Sequence, residues 1–197
     1  MATMTDKLIP TPSQTVGPFF HLGMDRPEWA DLTVNNPRGE RTVIEGRMLD
    51  GDGAPVPDAV IEVWQANAAG RYNHPDDSRD DAALDPGFRG FGRVATGADG
   101  EFRLVTIKPG PVPGRGNAWQ APHINVVVFA RGLLRHLHTR IYFADDPRNE
   151  ADPLLASIDD AAVRSTLLAH KAEGGEPPVY RFDIVLQGGN ETAFLDI

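Results

Sequence analysis

The chain has 197 residues, 41% of them hydrophobic and 24% charged, an ordinary globular mixture long enough for one buried core. A formal net charge of −9 argues against a nucleic-acid partner, and the absence of cysteine excludes disulfides, thiolate metal sites and a cysteine nucleophile. No apolar run approaches the roughly 18–20 residues that span a bilayer, and the N-terminus has no apolar signal core, so a soluble cytoplasmic protein is expected.

In chain order, residues 1–41 form a Pro-rich arm without periodicity, expected to wrap the rest or to reach toward a partner. From residue 42 to 143 short strands alternate with turns. "TVIEGRML" runs into the double Asp-Gly signal "DGDGAPVPD", and "AVIEVWQA" follows. "GFGRVATG", the turn "ADG" and "EFRLVTIK" read as a hairpin. "HINVVVFAR" and "HLHTRIYF", joined across Gly132–Arg135, read as another. One stretch has helical spacing: "DDAAVRSTLLAHKAE", with Ala162, Val163, Leu167 and Leu168 on one side and Asp159 or Asp160 as N-cap. "RFDIVLQG" and "ETAFLDI" complete the pattern with two more strands.

The pattern predicts a mainly β protein, a β-sandwich of mixed or antiparallel sheets with an extended N-terminal arm and one or two short C-terminal helices. A single domain over 1–197 is expected, with 1–41 as the arm.

Four features could carry chemistry. Tyr72 and His74 in "GRYNHPDD" offer hard-metal donors on a loop after a strand, or simply a polar loop. His123 opens an apolar strand expected over 123–131, whose faces, His123/Asn125/Val127/Phe129/Arg131 and Ile124/Val126/Val128/Ala130, both look buried. A core histidine is the plain alternative to a ligand there. His136 and His138 have ligand spacing on one strand face, which also carries Arg140 and Tyr142. That face reads as polar surface, and Arg140 disfavours a cation. Arg131 ends the apolar run. It is either a solvated turn residue or a carboxylate anchor, since guanidinium matches a carboxylate with paired donors. Eight extended residues place it roughly 26 Å from His123, too far to share a site within one chain. No nucleophile elbow, phosphate loop or dinucleotide fingerprint occurs.

Several stretches together resemble the intradiol aromatic-ring dioxygenases, most closely the two-chain protocatechuate 3,4-dioxygenases. They are "TPSQTVGPFF", "IEVWQANAAGRYNH", "TIKPGPVPG", "APHINVVVFARG", "TRIYFADDP" and "YRFDIVLQGGNETAFLDI". The resemblance implies a β-sandwich in which two tyrosines and two histidines hold a non-haem ferric ion. Carried over by motif, this sequence keeps Tyr72 and His123 but has Val112 for the second tyrosine and Asn125 for the second histidine. Gln120 stands where the family has an arginine just before the His-x-His stretch.

These four positions then read as a vestigial metal site with no metal in this chain, because one phenol and one imidazole are too few ligands. The match implies a non-iron α chain, inactive alone, paired with a homologous iron-bearing β subunit that holds Fe(III). Thr15, Gly17, Pro18 and Arg131 would line the substrate site at the interface of the two chains. The implied substrate is a catechol carboxylate, 3,4-dihydroxybenzoate, cleaved by O2 to 3-carboxy-cis,cis-muconate. Two other readings stand beside this one: a metal-free transthyretin-like binding module, suggested by "GRMLDGDGAPVPDAVIEVW", and a self-contained metalloenzyme using His136 and His138.

Overall fold

Burial with a period of two builds the strands. A computed structural model describes residues 21–24 and 26–196. A short helix, α1 (His21–Met24), and a 3-10 turn (Pro27–Trp29) precede β1 (Arg41–Leu49), β2 (Val60–Trp64), β3 (Phe91–Ala95) and β4 (Glu101–Ile107). The ribbon β5 (Val112–Pro113) and β6 (Trp119–Gln120) leads into β7 (His123–Phe129) and β8 (Leu137–Phe143). Two short helices, α2 (Pro153–Ala156) and α3 (Ala161–Ser165), come before β9 (Leu168–Lys171), β10 (Val179–Arg181) and β11 (Ile184–Val185).

Apart from the separate β5–β6 ribbon, the strands form one sheet in the order β11-β1-β10-β9-β8-β7-β2-β3, with β4 also paired to β1. β9 joins the two layers, parallel to β8 and antiparallel to β10. One core fills the space between them. It takes Ile44, Met48 and Leu104 from one layer and Ile61, Val63, Ile124, Val126, Val128 and Ile141 from the other. Each such side chain contributes about 1.5–3 kcal/mol by leaving water. A smaller cluster of Ala121, Tyr142, Leu155 and Leu167 seats α2 against β8. The mainly β sandwich-like architecture with short C-terminal helices is therefore as expected, and its mixed pairing includes three parallel contacts among the described residues.

Several local expectations are corrected. The segments around 91–95 and 101–107 are not a hairpin. β3 pairs with β2, whereas β4 pairs with β1 from Arg41↔Ile107 to Arg47↔Glu101. The chain crosses between layers at 96–100, where Thr96 Oγ1 donates to Val56 O and accepts from Ala59 N. At Gly100 the crossing needs φ +71°, and a Cβ there would meet Met48 O at 2.5 Å.

The helix expected over 159–173 ends at Ser165. Asp160 caps it as expected, but Leu167 and Ala169 are taken into the sheet by hydrogen bonds from Tyr142 N and Ala144 N. Sheet pairing there overrides helical spacing. Helix is also not confined to that stretch, since α1 and α2 lie outside it. "RFDIVLQG" divides between β10 and β11, while the described residues of "ETAFLDI" make an isolated bridge, Leu195↔His138, rather than a strand. β7 is buried on one face only: Asn125, Val127 and Phe129 are half-buried. Tyr142 is fully buried rather than on a polar surface, because α2 and the Asp152 carboxylate cover it. Among the described residues no helix is long and apolar enough to cross a membrane.

Candidate functional site

The register of three antiparallel strands gathers the site. β7 sets His123 opposite Tyr142 and Asn125 opposite Arg140 on β8, and Asn125 opposite Trp64 on β2. His123 is 2% exposed. Its Nδ1 lies 2.7 Å from Ala121 O, and a carbonyl only accepts, so Nδ1 carries the proton and Nε2 the lone pair. Nε2 is buried without a hydrogen-bond partner among the described residues. Burial first, and then the Arg140 charge, push the imidazole down to about 4, so it is neutral at ordinary pH.

Tyr72 is delivered by a tight turn after β2. Asn67 Oδ1 accepts from Ala69 N and Arg71 N, and its amide donates to Ala83 O. Gly70 takes φ +76°, and a Cβ there would meet Pro111 O at 2.0 Å, so the turn and the 109–113 segment interlock only around glycine. Asp77 Oδ2 accepts from Tyr72 N, and the Arg79 guanidinium grips both Asp77 oxygens and Gly70 O. That pairing holds the Asp77 carboxyl down at about 2. The Tyr72 ring stacks on Trp64, centroids 5.7 Å apart and 14° from parallel. Burial raises its hydroxyl above the ordinary tyrosine value, against the opposing pull of Asn125 and Arg140. Trp64, Tyr72, His74, Arg79, Val112 and Pro113 wall an open groove of about 570 Å³.

At the centre lies Arg140. Its Nε donates to Asn125 Oδ1 (3.0 Å), and Nη1 donates to Gln120 Oε1 (2.6 Å) and Tyr142 Oη (3.2 Å). Asn125 in turn donates to Trp64 O at 3.2 Å and approaches Tyr72 Oη at 3.5 Å. Tyr142 Oη donates to Asp152, whose carboxylate also accepts from Ala121 N and caps α2 at Leu154 N and Leu155 N. Arg140, expected on a polar surface beside His136 and His138, is instead half-buried within this network. The signal that would have found it is the hairpin register, which sets it opposite Asn125.

Tyr72 thus lies 3.5 Å from Asn125 and shares a groove wall with Val112, and His123 sits two residues from Asn125 on the same strand face. Arg131 lies beyond the other end of β7, its side chain 56% exposed and 3.4 Å from Asp58. Thr15, Gly17 and Pro18 fall outside the described residues. His136 and His138 meet edge-to-face at 4.8 Å, and no third His, Cys, Asp or Glu joins them in a metal-binding group among the described residues.

The family model described as "Dioxygenase" matches residues 17–188. The chain belongs to the intradiol dioxygenase family. A protocatechuate 3,4-dioxygenase alpha chain from Pseudomonas putida is 41% identical, covering 98% of this chain and 100% of its own length. An alpha chain from Burkholderia cepacia is 45% identical over 95% of this chain and 97% of its own, and a beta chain from the same organism is 41% identical over 91% and 77%. Among solved structures, the dioxygenase domain of a carbohydrate-binding fusion from Streptomyces sp. SirexAA-E superposes with a TM-score of 0.62. It is 30% identical, covering 94% of this chain and all of that one.

Iron use is general in intradiol dioxygenases. The residues here do not fit it. Val112 has no donor atom, the Asn125 amide is committed to Trp64 O and Arg140, and the guanidinium brings a permanent positive charge to the same place. Of the four positions only Tyr72 and His123 offer donors of the family's kind, half the set that the family uses.

Proposed function

We propose that this chain, as one domain over 1–197 with its arm at 1–41, is the subunit without iron of a two-chain intradiol dioxygenase acting on a catechol carboxylate. Tyr72, Val112, His123 and Asn125 are the vestigial metal-site positions. The Fe(III) belongs to a homologous β subunit. The observation that carries the reading is the donor set: a phenol, an imidazole, an amide and a hydrocarbon, in a chain aligned over nearly its whole length with relatives named alpha chains.

The contribution of this chain is then to shape and close the partner's site. Arg131 stands free of the Arg140 network and more than half exposed, so its guanidinium is available to a carboxylate outside this chain. Thr15, Gly17 and Pro18 are assigned to the same interface through the family motif. The reaction is insertion of both atoms of O2 between the two hydroxylated carbons of 3,4-dihydroxybenzoate, giving 3-carboxy-cis,cis-muconate. This chain supplies binding, orientation and exclusion of water.

The test is iron content and visible colour of the chain purified alone, beside the chain co-expressed with its iron-bearing partner. Iron at about one per pair, found only in the complex and with ferric–tyrosinate colour, is the expected result. Stoichiometric iron in the chain alone overturns the reading.

A further inference from the structure

The vestigial centre has not simply lost its ligands. Its acceptors converge on a guanidinium. The Arg140 Nε and Nη1 groups are satisfied by the Asn125 oxygen, the Gln120 oxygen and the Tyr142 hydroxyl, at 3.0, 2.6 and 3.2 Å. Two of these three acceptors stand at positions where this chain departs from its family: Asn125 in the place of a histidine, Gln120 in the place of an arginine. Both replacements are neutral amides that turn an oxygen to the guanidinium. An arginine at 120 would set like charges in contact, and an imidazole at 125 could offer its lone pair only while it stayed unprotonated. A permanent cation at 140 and the two amides therefore form one matched set.

We infer that Arg140 holds the place of the metal, as a built-in cation that organises Gln120, Asn125 and Tyr142 and keeps iron out independently of the missing ligands. It rests on the reading of this chain as the subunit without iron. Arg140 acts as a positioning residue, and the geometry around it favours the guanidinium in two further ways. Tyr142 passes the network on to the buried Asp152 carboxylate, so the positive charge is balanced across one hydroxyl. Among the described residues the unpartnered Nε2 of His123 leaves a buried lone pair on the same strand face as Asn125, the residue that Arg140 binds.

The consequence is that restoring ligands does not restore the site while the guanidinium remains. The experiment compares three variants, co-expressed with the partner and then separated or measured as the complex. They are Val112→Tyr/Asn125→His; the same pair with Arg140→Gln; and the same pair with Arg140→Lys. Extra iron per complex and the added ferric–tyrosinate absorbance are read for each.

The expected result is extra iron in the Arg140→Gln triple variant at least roughly tenfold above both others, since binding requires donors free of a competing cation. Equal iron with Arg140 retained overturns the inference, and so does an iron-free Arg140→Gln triple variant with unchanged circular dichroism. A second measurement does not depend on the triple variants folding. In Arg140→Ala, millimolar guanidinium is expected to raise the melting temperature where urea, its neutral analogue, does not. No difference between the two overturns the inference. Iron in the unaltered chain would instead refute the reading on which the inference rests, so the two failures are distinguishable.

Discussion

The β7–β8 hairpin carries an arginine near each end, and the two live in opposite surroundings. Arg140 is half-buried against three oxygen acceptors, one of them tied to a fully buried carboxylate. Arg131 is more than half exposed and reaches a half-buried Asp58 at 3.4 Å, a pair worth about 0–1 kcal/mol. The first is built into the fold, and its removal strands buried acceptors. The second can leave its partner at little cost and turn to an anion from outside. A family resemblance weighs both positions alike, whereas burial separates a structural cation from an available one.

The largest effect that tests this contrast belongs to Asp152, which is 0% exposed. It accepts from Ala121 N, Leu154 N, Leu155 N and Tyr142 Oη. Asp152→Ala is expected to cost about 3–5 kcal/mol in urea unfolding, since these donors lose a charged acceptor in the interior. Asp152→Asn should cost less because it keeps one acceptor oxygen. A loss below about 1 kcal/mol for the alanine variant would mean that this end of the hairpin is not internally held.

A pH titration sharpens the contrast further. His123 is neutral in the fold with its pKa near 4, against 6.5 for the free side chain. As pH falls, the unfolded chain therefore takes up the proton first. The stabilisation is complete above about 6.5 and is lost progressively down to about 4. The Asp77 carboxyl, held at about 2, contributes its loss below pH 4, outside this window. Urea midpoints between pH 7 and 4.5 should fall steeply for the parent chain and less for His123→Gln. Identical slopes would remove the assignment.

The smallest stability effect is expected at Arg131. Arg131→Ala should change unfolding by less than about 1 kcal/mol. In the assembled enzyme it should raise KM for the catechol carboxylate roughly tenfold or more, the equivalent of a charged hydrogen bond lost. Steady-state kinetics with an unchanged KM would break the comparison from its open end.

Much of the fold is legible in the residues, for reasons that can be named. Ile124, Val126 and Val128 announce a buried strand by period alone, and Asp160 announces a helix start by its capping chemistry. The hairpin of β7 and β8 is also read from a short link between two strand-patterned runs, and there the neighbours in sequence do pair. The false hairpin at 91–107 marks the limit. Local pattern gives strands, but β3 and β4 find partners, β2 and β1, that are distant in sequence. The same limit cut the expected helix short, since Leu167 and Ala169 gain more from the β8 ladder and full burial than from helical continuation.

The site divides along the same line. Residue identity alone established that Val112 offers no donor and that Asn125 is no imidazole, because these are properties of side chains wherever they sit. It also set Arg131 eight residues from His123 along one extended run, and Arg131 falls in the turn just beyond β7. Only the tertiary structure brought Arg140 to Asn125 and Gln120 and joined it through Tyr142 to Asp152. Register, strand partner and burial depend on the whole sheet closing over one core, and no short stretch of this sequence contains that information.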